Sequence, residues 1–190
     1  MAKKQGSRSK KPEVEKNSIK SLISRYLLLI LIALPGAWIF YKIFTPLTFY
    51  PIYFITGLFY DVAITSRISF IVSNSVPIEL IGACIAGSAY YLLFILNLST
   101  PGMKMKNRLS AIFFSVAVFL ALNIIRIVIL IFLAVTGSSY FDVTHLLFWY
   151  GLSTIIVVAI WFTEVKLFKI KETPFYSDLK FLYRASVLKR

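Results

Sequence analysis

Four long apolar runs, set apart by polar or mixed stretches, divide this chain at residues 26–44, 81–98, 109–135 and 143–163. The second contains no charge and is just long enough to cross a hydrocarbon core about 30 Å thick. The third carries a single charge, Arg126, inside "LALNIIRIVILIFL". Such runs predict transmembrane helices, because a helix satisfies every backbone polar group within one segment. The first run lacks a small-residue cleavage site after a short basic leader and reads as a retained anchor. No internal repeat is evident. The fold class expected is all-α: a polytopic transmembrane bundle of about four spans plus an interfacial or short-hairpin segment.

That extra segment is residues 45–80, "TPLTFYPIYFITGLFYDVAITSRISFIVSNSVPIE" with its neighbours. It is rich in aromatic residues, interrupted by Pro46, Pro51 and Pro77, and weakly charged. Two readings fit: an amphipathic segment in the outer interface, or two short spans back to back. The concentration of Tyr and Phe favours the interface, where one end of a ring is wet. Both readings leave an even number of crossings.

Composition fixes the class. At 58% hydrophobic residues and mean hydropathy +0.79 over 190 residues, the chain belongs in a membrane. Three domains follow: a basic tail at 1–25, a membrane domain at 26–165 and a second basic tail at 166–190. Of 21 Lys and Arg residues, 18 fall in three clusters: the first tail, the "TPGMKMKNR" loop and the second tail. Four spans put all three clusters on one side, and the positive-inside rule makes that side cytoplasmic. The expected location is the plasma membrane with both termini inside. The net charge of +13 therefore reports topology and anionic headgroups rather than nucleic acid.

Depth then singles out candidate chemistry. Arg126 lies 17 residues beyond Leu109, about 25 Å along a helix, which places its charge near the outer face. A guanidinium stays ionised there and needs partners. Cys84, the only cysteine, opens the second span from the outside, and His145, the only histidine, opens the fourth. One thiol excludes an internal disulfide and a cysteine-rich metal site, and no cofactor is called for. A cation near a thiol favours thiolate, a positioned imidazole moves protons, and a guanidinium stabilises an oxyanion. A helix opening at Cys84 adds backbone N–H groups that favour an anion. Asn123 shares a helix face with Arg126 and is expected to hold the guanidinium. Asp142 is the carboxylate expected to orient His145.

The segments "GACIAGSAYYLLFIL", "LNIIRIVILIF" and "DVTHLLFWYG" together resemble the exosortase/archaeosortase family of membrane cysteine transpeptidases. In that family a Cys opens one span, an N-x-x-R motif lies in the next, and a His or Arg begins the last. The matching positions are Cys84, Asn123 with Arg126, and His145, in the same order; the resemblance covers roughly residues 75–165. The commoner family form has one residue between the Cys and a Gly, whereas "CIAG" has two. The resemblance implies an archaeal-type enzyme that recognises secreted proteins by a C-terminal motif, transmembrane helix and basic tail. It implies cleavage near the motif and transfer of the new C-terminus to an acceptor, in archaeal members a lipid. The roles implied are Cys84 as nucleophile, Arg126 as electrostatic stabiliser and His145 as acid/base.

Two other classes remain compatible with the residues. One is a non-catalytic scaffold in which Arg126 pairs with Asp142 or a partner's carboxylate. The other is a transport or lipid-handling subunit in which Arg126 binds an anionic headgroup or substrate. Only the enzyme requires Cys84.

Overall fold

A computed structural model describes residues 27, 30, 31, 36–100, 103–148, 151 and 153–170. The first tail, most of the start of the first apolar run and residues 171–190 lie outside the described residues. The structure is mostly helical. Helix α1 spans Trp38–Gly57, followed by strands β1 (Val62–Ile64), β2 (Ser69–Val72) and β3 (Val76–Glu79). Helices α2 (Gly82–Ile85), α3 (Gly87–Ser99), α4 (Met105–Val135), α5 (Phe141–Leu147) and α6 (Ser153–Leu167) complete the order.

The strands correct the all-α expectation. Residues 45–80 divide into the second half of α1 and an antiparallel sheet of order β1-β2-β3, rather than two short spans. The cause is local. "SFIV" alternates at period two, with Phe70 and Val72 buried and their neighbours half-buried, so one face of β2 meets the core. Ser73 and Asn74 both take positive φ, as a tight hairpin turn demands, and Ser75 N–H donates to the Val72 carbonyl at 3.1 Å. Pro77 is tolerated because β3 is an edge strand.

The first apolar run also departs from one uninterrupted span. Gly36 takes φ +59 in a turn, and α1 starts at Trp38 and runs on through Pro46 and Pro51. Each proline deprives the helix of one N–H donor. Close by, the Thr45 hydroxyl donates to the Tyr41 carbonyl at 2.6 Å. In the fourth run, α5 and α6 lie on either side of Phe148 and Gly151, both of which are π-helical. Among the described residues two stretches are long and apolar enough to cross a membrane: Gly82–Ser99, formed by α2 and α3, and Met105–Val135.

Two apolar clusters hold these elements together. One joins Phe44, Ile85, Tyr90, Leu93, Phe119, Val157 and Ile160. Its centre is Tyr90, stacked on Phe44 at 3.6 Å between centroids and edge-on to Phe119 at 4.8 Å. The other joins Phe49, Ile52, Phe70, Val72, Leu80, Ile127 and Ile131, and so ties the sheet to α1 and α4. On α4 the clusters are separated by the stretch between Phe119 and Ile127, which holds Asn123 and Arg126. The polar residues of the candidate site lie at this seam.

Candidate active site

Cys84 is the third residue of α2, a helix of one turn. Its N–H donates to the Ile81 carbonyl at 2.9 Å, so this backbone group is already engaged and not held out to a ligand. Ala86 ends the turn in the left-handed region at φ 56 and ψ 39, and α3 begins at Gly87. Such a conformation costs a residue with a Cβ about 1–2 kcal/mol. Gly87 has a separate reason to lack a side chain. A Cβ there would meet the Tyr41 ring at 2.8 Å. The two residues between Cys84 and Gly87 thus form a break in the backbone, with the following glycine flat against α1.

Asn123 Nδ2 donates to the Cys84 carbonyl at 2.8 Å, joining α4 to the cysteine turn. This corrects the expectation that Asn123 holds the guanidinium. Arg126, one turn further on, is 7% exposed and within electrostatic range of Cys84. Arg126 Nη1 donates to Ser153 Oγ at 2.6 Å, and Ser153 Oγ donates to the Phe148 carbonyl at 2.9 Å. The Phe148 ring centroid lies 6.0 Å from Arg126 Cζ. Arg126 Nε is buried without a hydrogen-bond partner among the described residues.

Sequence reasoning missed Ser153. Its signal was a hydroxyl in an otherwise apolar run, which becomes meaningful only once the run is seen to face Arg126. A second omission is Glu164, fully buried, whose two carboxylate oxygens accept from Asn97 Nδ2 at 3.2 and 3.1 Å. It sits 11 residues beyond Ser153, about 16 Å along α6, and lies away from Arg126.

A cavity of about 590 Å³ opens at Arg126 and Ser153, walled by Tyr41, Gly82, Ala86 and Val157 among others. Its walls are small where α2 and α3 contribute, which leaves room for a chain-like ligand. Neither Cys84 nor His145 lines it. His145 is half-buried on α5 with its ring stacked on Phe141 at 5.6 Å. It precedes by three residues Phe148, whose ring and carbonyl meet Arg126 and Ser153 respectively. Asp142 is exposed in the first turn of α5, three residues before His145 and on the same face. The structure therefore brings together Cys84, Asn123 and Arg126, adds Ser153, and places His145 and Asp142 on the neighbouring short helix. Among the described residues no group of His, Cys, Asp and Glu is arranged to hold a metal ion. The chain matches no family model, curated protein or solved structure with which it was compared.

Proposed function

We propose that this chain is an integral-membrane cysteine transpeptidase of the exosortase/archaeosortase type, with four spans, both termini cytoplasmic and its site near the outer face. The observation that carries this reading is the junction at Cys84. One α4 turn supplies both the amide that fixes the cysteine carbonyl and the guanidinium that interacts with the cysteine side chain. A scaffold built on Arg126 needs an acid for its charge. Here the hydrogen-bond partner is the Ser153 hydroxyl, and Asp142 is exposed.

In this mechanism Cys84 Sγ attacks the carbonyl carbon of a secreted protein's C-terminal sorting segment. The C–N bond breaks as His145 gives a proton to the leaving amine, and a thioester remains on Cys84. Arg126 stabilises the thiolate before attack and the oxyanion during it. An acceptor, a membrane lipid in this reading, then attacks the thioester after His145 removes its proton. The C–S bond breaks and the thiolate returns.

The test is to co-express a tagged substrate under acceptor depletion and look by mass spectrometry for a hydroxylamine-sensitive adduct. The adduct is expected on Cys84. Turnover should vanish in Cys84→Ala and fall by roughly 10²–10⁴-fold when His145 is replaced by Ala, the range of a positioned acid/base. Full processing by Cys84→Ala overturns the proposal.

A further inference from the structure

Three basic residues stand outside the cytoplasmic clusters: Lys42, Arg67 and Arg126. Arg126 belongs to the candidate active site. The other two, 25 positions apart in sequence, line one cavity of about 610 Å³ between α1 and the turn joining β1 to β2. Tyr50 adds a phenol hydroxyl to its wall, the Thr45 and Ser66 hydroxyls there are bonded to the Tyr41 carbonyl and Ser69 Oγ, and no carboxylate is among its lining residues. Lys42 Nζ lies 5.1 Å from the Trp38 ring centroid, which steadies the ammonium beside the cavity. Two cations without a counter-charge, with the Tyr50 hydroxyl beside them, make a site complementary to an anion with several acceptor oxygens.

The surroundings say what carries that anion. Ile39, Ile43, Leu47, Tyr50 and Phe54 are all exposed, and their spacing of four, four, three and four residues puts them on one face of α1. The stripe adjoins the cavity, with Tyr50 belonging to both. A cationic cup beside a continuous apolar stripe fits an amphiphile with an anionic head.

We propose that this cavity binds the phosphate of an anionic phospholipid, held by Lys42 and Arg67 with its acyl chains along the exposed face of α1. The proposal uses the membrane orientation given above but is independent of the cysteine chemistry. Removing Cys84 therefore leaves it intact. Basic side chains are sparse on the outer side of membrane proteins, so two of them meeting in one cavity calls for a ligand. The turn that carries Arg67 is held by its own bonds, Thr65 and Ser66 N–H each donating to the Ser69 carbonyl at 3.0 Å. The cup thus exists before the lipid arrives.

The experiment uses the full chain, purified in a neutral detergent from bilayers containing equal phosphatidylglycerol and phosphatidylcholine, with retained lipid counted by native mass spectrometry. Phosphatidylglycerol is expected to be retained at least fivefold over phosphatidylcholine, equally in Cys84→Ala protein. Selectivity should disappear when Lys42→Gln and Arg67→Gln are combined, and survive in Lys42→Arg with Arg67→Lys. It should also survive Lys104→Gln with Lys106→Gln, which removes two charges from the cytoplasmic loop. Millimolar inorganic phosphate should leave the lipid in place. Displacement by phosphate would assign the cavity to a free anion instead, and equal loss in the loop variant would reduce the effect to bulk charge. Either result, or lack of selectivity in the unaltered protein, overturns the proposal.

Discussion

Arg126 has two jobs at once in the proposed chemistry, and its geometry shows how. One edge of the guanidinium is anchored to Ser153, while the charge stays within electrostatic range of Cys84. A planar fork can hold a fixed partner and still offer donors to an anion; an ammonium on a flexible stem cannot do both in one orientation. Arg126→Lys is therefore expected to lose most turnover while accumulating in the membrane at a normal level. Ser153→Ala tests the anchor separately. A hydrogen bond to a charged group contributes about 1.5–3 kcal/mol, so turnover should fall roughly ten- to a hundredfold with the protein still folded. Unchanged turnover in both variants would show that Arg126 has no part in the reaction. At this scale the sequence exposed Cys84, Asn123 and Arg126, since polar groups in apolar helices are conspicuous. It could not reveal that Asn123 serves the Cys84 backbone, because helix periodicity assigns a face and not a partner. Ser153 and Glu164 stayed hidden for the same reason.

Between elements, the tightest constraint is the contact of Tyr41 on α1 with Gly87 at the start of α3. A methyl group at 87 would come within 2.8 Å of the ring, and overpacking of this kind costs about 1–3 kcal/mol. Gly87→Ala should lower the thermal midpoint of the detergent-solubilised protein. Tyr41→Leu in the same chain should recover part of the loss, because the two residues share one contact. If the double variant is no better than the sum of its parts, the ring is not what excludes the methyl group. The helices were legible as apolar runs, but their ends were less so. Gly36, in its left-handed turn, subdivides a run that looks continuous by hydropathy. The sheet was obscured because alternation in "SFIV" lasts only four residues and is surrounded by aromatics that belong equally well to an interface.

For the whole molecule, the two apolar clusters put the sheet beside the α4 half that carries Arg126, and the basic loop at the other end. With the loop inside, the sheet faces out. In a Cys84→Ala background, a thiol introduced at Lys106 should react with a membrane-impermeant maleimide only after the membrane is opened, and one at Ser66 in intact cells. Labelling of Lys106 alone in intact cells would invert the orientation and with it the side on which the proposed substrate is met.

The left-handed residue at Ala86 separates the register of Cys84 from that of α3. In a continuous helix each inserted or lost residue rotates everything beyond it by about 100°. Here α3 starts its own register at Gly87, against Tyr41 of α1, while the short α2 turn is tied to α4 through Asn123. Drift in the packing face of α3 over evolutionary time would thus leave the thiol where it is. The same break predicts that relatives vary in the number of residues between the cysteine and the glycine while keeping the asparagine that tethers the turn.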